Sequence, residues 1–306
     1  MIGRPMALKP YLQLVRFPNV FTAAADSLAG WLLVTGSLAR PEAWVPLVLA
    51  SACTYAGGIA LNDVFDAEVD RIERPGRPIP SGRVSRTSAA LLGAFLMALG
   101  LILAIVSGTR YGGIIETALI ASVLLYDTTG KRSALGPEVM GVCRGLNLLL
   151  GLSDASRLGG PVGWFAALSY GLFVAGVTWI SRSEVEGKVG RDFRAGVMLQ
   201  SVGICGFVMI GLNASRFPHL STAGFRWDWL AALALICWQV LYGFKVWGVF
   251  QRPEPGRVQV LVKFGIMSLV WLTSTLVLAA RGPEQAGAVV LLWFPAFYAG
   301  RWIYST

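Results

Sequence analysis

The chain has 306 residues, 55% of them hydrophobic and only 14% charged, with a formal net charge of +9. A soluble domain of this length carries about 25% charged residues, so the composition excludes an ordinary water-soluble fold and points to a polytopic, all-α membrane protein. One histidine and four scattered cysteines exclude a histidine-based metal centre, Ser-His-Asp catalysis and a disulfide or zinc framework.

The first 16 residues are polar and basic, with Arg4, Lys9 and Arg16. The apolar run that follows reads as a retained helix, not a cleaved leader. Apolar blocks near the roughly 20 residues that span a hydrocarbon core then predict helices over 18–36, 43–61, 88–108, 111–127, 135–153, 161–181, 196–213, 228–248, 258–280 and 285–304. Pro295 and the short gap before the last block leave a re-entrant or tilted segment open there. The expectation is a bundle of about nine helices, or ten, around a central cavity. No linker or low-complexity stretch separates a soluble unit, so residues 1–306 read as one membrane domain.

Basic residues are distributed unevenly. The N-terminus and the loops after even-numbered blocks hold 17 Lys and Arg, against 6 in the loops after odd-numbered blocks. The positive-inside rule places the N-terminus and the loops around Arg77, Lys131 and Lys188 in the cytoplasm. His219 then falls on the outer side. The charge encodes orientation and not a nucleic-acid partner. In a bacterium the membrane would be the inner, cytoplasmic one.

The second block ends in Asn62-Asp63-Val64-Phe65-Asp66-Ala67-Glu68-Val69-Asp70. Asn62, Asp66 and Asp70 recur every four residues and share one helix face, with Asp63 beside it. Acidic oxygens crowded at the mouth of a membrane helix repel one another and are costly to desolvate. A hard cation such as Mg²⁺ relieves that and also holds phosphate. Arg71, Arg74, Arg77, Arg83 and Arg86 follow at once, which suits an anionic diphosphate. The competing reading is a solvated helix end with local salt bridges.

Two further segments reach the same predicted side. Tyr126-Asp127-Thr128-Thr129-Gly130-Lys131-Arg132 offers Lys131 and Arg132, either as orientation anchors or as a cationic arm over the cavity. The sixth block ends in Ser181-Arg182-Ser183-Glu184-Val185-Glu186-Gly187-Lys188, an acidic helix end four helices after the first. This spacing suggests two related four-helix halves. Within the blocks stand Asp26, Glu116, Glu138, Arg144 and Lys263. Arg144 either holds an anionic group of a substrate or forms a buried pair with Asp26, Glu116 or Glu138. Gly141 and Gly145 bracket it at a spacing that permits close helix packing. Tyr55, Tyr126, Tyr170, Phe173 and Trp179 are candidates to line a cavity, or else ordinary membrane aromatics.

Asn62-Asp63-x-x-Asp66-x-x-x-Asp70, followed by Arg74-Pro75-Gly76-Arg77-Pro78-Ile79-Pro80-Ser81-Gly82, resembles the first acidic motif and trailing loop of the UbiA superfamily of intramembrane prenyltransferases. Lys131 resembles that family's basic residue between helices four and five. Gly141–Asn147 and Thr178–Val185 resemble its EboC branch. The resemblance implies Mg²⁺ held by Asn62, Asp63, Asp66, Asp70, Glu184 and Glu186, and a prenyl diphosphate gripped by Arg77, Lys131 and Arg144. Asp66, Asp70 and Lys131 would be catalytic, and the allylic cation would alkylate a small acceptor. The second motif departs from the family pattern: Ser181, Glu184, Glu186 and Lys188 stand where several aspartates are usual. That departure keeps open a second function, a non-catalytic protein that binds or transports an anionic lipid-like molecule.

Overall fold

The computed structural model describes residues 8–184, 189–213 and 227–303. The Arg132 side chain and Glu186, Lys188 and His219 lie outside the described residues. The described residues form helices and turns with no strand. Fourteen α-helices run in order: α1 Leu8–Leu14, α2 Phe17–Thr35, α3 Pro41–Phe65, α4 Ala67–Glu73, α5 Arg86–Val106, α6 Gly112–Thr128, α7 Gly136–Gly151, α8 Gly160–Arg182, α9 Arg191–Asn213, α10 Trp227–Gln251, α11 Pro255–Met267, α12 Leu269–Arg281, α13 Pro283–Val290 and α14 Trp293–Ile303.

Seven stretches are long and apolar enough to cross a membrane: α3, α5, α8, α9, α10, the joined α11–α12 and the joined α13–α14. Large apolar side chains such as Leu91, Phe95 and Ile102 of α5 and Leu233, Phe244 and Trp247 of α10 face outward. Water would not tolerate that belt, but lipid favours it. The chain is an integral membrane protein. Of the other long helices, α6 and α7 are shorter, at 17 and 16 residues, and α2 carries Asn19 and Asp26.

Proline at the first turn starts α2, α3, α7, α8, α11 and α13, where its missing N–H costs nothing and its fixed φ suits the helix. Each sequence block corresponds to a helix or a broken pair. The block 258–280 breaks at Ser268, whose hydroxyl bonds back to Phe264 O at 2.7 Å and accepts Trp238 Nε1 at 2.8 Å. The block 285–304 breaks at Leu291-Leu292. The helix carrying the first acidic motif runs four residues further than expected and continues into α4.

Backbones approach closely where glycines face each other. A Cβ on Gly141 would collide with Gly171 O, and one on Gly145 would sit 2.9 Å from Ala167 O. This presses α7 onto α8 on either side of Arg144. Gly57 and Gly93 meet between α3 and α5, and Gly176 and Gly196 between α8 and α9. Each acidic helix end is thus carried by a helix locked through glycine to the next long one.

Candidate active site

Arg144 fixes the middle of the bundle. Its Nη1 donates to Asp26 Oδ2 at 2.7 Å and its Nη2 to Thr22 Oγ1 at 3.1 Å. Asn147 Nδ2 donates to the same Asp26 oxygen at 3.1 Å, and Tyr170 OH donates to Asp26 Oδ1 at 2.6 Å. Asp26 and Tyr170 are fully buried. Of the two readings open for Arg144, this is the buried pair, with Asp26 as partner. Glu116 accepts from Thr54, and Glu138 accepts from Trp179 Nε1 at 2.8 Å.

Arg144 also borders a cavity of about 180 Å³, which Arg16, Thr54, Tyr55, Asn62, Tyr126, Asp127, Cys143 and Asn147 help to line. The Arg144 guanidinium lies 5.0 Å from the centre of the Tyr55 ring. Tyr55 and Tyr126 therefore do face the cavity. Tyr170 and Phe173 belong to the packed core.

The first acidic motif stands at the end of this cavity. The helical ladder passes through Asp66 without interruption, with Asp66 N–Asn62 O and Asp70 N–Asp66 O both 2.9 Å. The three side chains of the shared face nevertheless take different partners. Asn62 Nδ2 donates to Asp127 Oδ1 at 2.9 Å. Asp66 Oδ1 lies 2.6 Å from Lys131 Nζ. Asp70 Oδ2 accepts from Arg77 Nη1 at 2.6 Å, and the same nitrogen reaches Asp63 Oδ1 at 3.3 Å. Arg16 Nη2 lies 3.6 Å from that Asp63 oxygen.

The loop after α4 holds Arg77 in place. Ser81 Oγ donates to Arg77 O at 2.6 Å, and Arg83 Nη2 donates to Gly76 O at 2.6 Å. Gly82 has φ +73°, a left-handed turn that glycine adopts without strain. Lys131 sits on the short 3-10 turn Gly130–Arg132. That turn leads into a segment to which Arg182 of α8 donates, through Nη2 to Ser133 O at 2.6 Å. Arg182 is thereby tied to the loop.

Among the described residues no group of three or more acidic side chains stands ready as a metal cage. The acids instead take basic partners, Asp66 with Lys131 and Asp70 with Arg77. The donor set still suits a hard cation, since it consists of carboxylate and amide oxygens. Beside Asn62, Asp127 Oδ2 is buried without a hydrogen-bond partner. Glu184 lies elsewhere, lining a second opening of about 980 Å³ with Lys263 and Arg301. Glu186 falls outside the described residues.

Asp127 and Arg16 were not singled out from sequence. Asp127 stands four residues before Lys131, which could have flagged it. Arg16, with φ +47° between α1 and α2, carries no such signal.

The model of the UbiA prenyltransferase family matches residues 23–269. The digeranylgeranylglyceryl phosphate synthase of Methanopyrus kandleri is 30% identical over 270 residues, 85% of this chain and 96% of that protein. That of Sulfolobus acidocaldarius is 39% identical over 131 residues, and that of Metallosphaera sedula 38% over 147. These two matches take in 43% and 47% of this chain, and it spans about half the length of each relative, 46% and 51%. Among solved structures, a UbiA homolog from Archaeoglobus fulgidus bound to GPP and Mg²⁺ superposes with a TM-score of 0.65 at 17% identity, over 92% of this chain and 99% of that one. The apo UbiA homolog from Aeropyrum pernix gives 0.62 at 18% identity, over 89% and 96%. At these identities the likeness is one of fold.

Proposed function

This chain belongs to the UbiA prenyltransferase family, and from that premise we propose that it transfers a prenyl group from a prenyl diphosphate to an acceptor within the membrane. The observation that carries the reading is the pairing of Asp66 with Lys131 and of Asp70 with Arg77 at one end of the bundle cavity. Carboxylates there suit a cation, and the same two basic groups suit the diphosphate once the cation takes over the acids. Residues 1–306 act as one unit in this reading, and the basic loops face the cytoplasm.

Asn62, Asp66 and Asp70 would hold Mg²⁺, with Asp63, Glu184 and Glu186 as further acidic groups. When bound, Mg²⁺ stabilises negative charge on the departing diphosphate. Arg77 and Lys131 donate to diphosphate oxygens and hold the leaving group in place. The allylic C–O bond breaks heterolytically, and its electron pair leaves with the diphosphate. The acceptor's nucleophile then bonds to the allylic carbon and loses a proton. Tyr55 and Tyr126 present aromatic faces toward the cationic fragment, and the apolar wall excludes water. Arg144, held by Asp26, contributes positive potential to the cavity and anchors Tyr55.

The name shared by the relatives supports a lipid glyceryl phosphate as acceptor, alkylated at a hydroxyl. The test is turnover by purified protein given an allylic diphosphate, Mg²⁺ and such an acceptor, followed as diphosphate release and by mass spectrometry of the lipid. Wild type is expected to turn over, and Asp66→Asn and Asp70→Asn to be inactive yet folded. The position of Glu184 in a separate opening favours the second reading, a binder or carrier of anionic lipid. Tight binding of the diphosphate without release of its prenyl group, across acceptors, would select that reading.

A further inference from the structure

The α8 end differs from the α3 end in the residues it offers a cation. Gly57 stands five residues before Asn62, and Gly176 stands five before Ser181. Both glycines are the points where their helices touch the next long one, so the two helix ends share a register. Counted along the sequence from those glycines, Ser181 corresponds to Asn62 and Val185 to Asp66. Ser181 Oγ is turned to its own helix, donating to Thr178 O at 2.7 Å.

Asp127, at the end of α6, has the opposite character. It is 3% exposed and lines the cavity beside Asn62. Its Oδ1 is engaged by Asn62, while its Oδ2 is buried without a hydrogen-bond partner. A buried carboxylate oxygen left unpaired is costly and calls for an explanation. The neighbouring cation, Lys131, is directed to Asp66.

We propose that Asp127 is a ligand of the divalent cation, so that α6 supplies a carboxylate to the site built on α3. The inference rests on the function proposed above. Geometry supports it. Mg²⁺ holds oxygens at about 2.0–2.1 Å in an octahedron, which puts neighbouring ligand oxygens about 2.9 Å apart. The terminal atoms of Asn62 and Asp127 stand 2.9 Å apart. The amide of Asn62 presents either its oxygen or its nitrogen by a half-turn. With the oxygen forward, Asn62 and Asp127 form one edge of such a site, and Asp66 follows one turn along α3. The cation is then shared between α3 and α6, which do pack together, and the Asp127 carboxylate acquires a charge partner.

The experiment uses full-length protein in nanodiscs and Mn²⁺, a spectroscopic stand-in for Mg²⁺, titrated by electron paramagnetic resonance without any prenyl substrate. Asp127→Asn keeps the shape and the Asn62 contact but removes the charge. Loss of a metal-ligand contact is expected to weaken Mn²⁺ binding by about 10–100-fold or more, with an unchanged or higher Tm in chelator. A Kd within about twofold of wild type overturns the proposal. Asp66→Asn separates the two levels of failure. If Asp66→Asn loses Mn²⁺ and Asp127→Asn keeps it, the site stands and Asp127 is no ligand. If wild type itself binds no Mn²⁺, the function proposed above falls as well. Asp127→Cys provides a second route should the amide fail to fold. It is expected to gain a thiolate-to-Cd²⁺ absorption band that wild type lacks, and absence of the band overturns the assignment.

Discussion

Arg77 shows how this site manages charge. One guanidinium nitrogen serves two nearly buried carboxylates, Asp70 at 2.6 Å and Asp63 at 3.3 Å, while its side chain stays 20% exposed. Removing one partner of a buried ion pair usually costs more than the pair was worth, because the other charge is left uncompensated. Arg77→Met is therefore expected to lower Tm in chelator. If Asp63, Asp66 and Asp70 surround a cation site, Mg²⁺ at about 100 times its Kd adds roughly 2.7 kcal/mol of stability. Mg²⁺ should then raise the Tm of the variant more than that of wild type, because in the variant no guanidinium competes for the acids. A nanodisc thermal-unfolding series with and without Mg²⁺ checks this, and equal shifts in the two proteins would count against the acids as ligands. At this scale the sequence shows which residues share a face but not which counter-charge each one takes. The four-residue period of Asn62, Asp66 and Asp70 is a property of one helix. The partners Asp127 and Lys131 come from one other segment and Arg77 from a second, and only folding brings them there. The four-residue spacing of Asp127 and Lys131 draws the eye to the pair but suggests a local helix contact, whereas Lys131 crosses to Asp66.

Helix positions are far more legible than helix breaks. Apolar length alone locates the long segments, since lipid demands it. At the break, Ser268 accepts a hydrogen bond from Trp238 on α10, a tertiary contact with no local sequence signature. The glycine contacts are legible only in part. Gly141 and Gly145 announce themselves by spacing, and α7 does press α8 there. Gly176 and Gly196 sit on different helices, and no period links them. Their pairing makes a sharp prediction. A Cβ on Gly176 would stand 2.5 Å from Gly196 O, and one on Gly196 2.6 Å from Gly176 O, whereas one on Gly243 of α10 meets nothing within 4 Å. Gly243→Ala is expected to stabilise by about 0.5–1 kcal/mol, the helix preference of alanine over glycine. Gly176→Ala must push α8 and α9 apart and is expected to destabilise, with overpacking costs of about 1–3 kcal/mol. Thermal unfolding of the two variants side by side tests the assignment, and similar Tm values for both would refute the α8–α9 contact.

Across the whole molecule, side-chain contacts sort the loops into two ends. At one end Lys131 meets Asp66, Arg77 meets Asp70, and Arg182 bonds Ser133 O, so two connections meet the acidic motif and the α8 end is tied to one of them. At the other end Arg40 pairs with Asp154 at 2.8 Å, Tyr111 N donates to Ser153 O at 3.0 Å, and Arg281 donates to Leu33 O and Val34 O. This agrees with the alternation of basic and sparse loops along the sequence, although the two arguments are independent: one counts charges, the other follows contacts. The contacts decide which loops share an end, and the charge excess decides which end faces the cytoplasm. Single cysteines placed at Gly76 and at Ser133, in a background lacking the four native cysteines, are accordingly expected to resist an impermeant thiol reagent in intact cells and to label after permeabilisation. A cysteine at Ala39, beside Arg40, should show the reverse. If positions 76 and 133 label from opposite sides, the single cavity mouth fails. If all three invert together, the mouth survives, and the charge-based orientation is what must be given up.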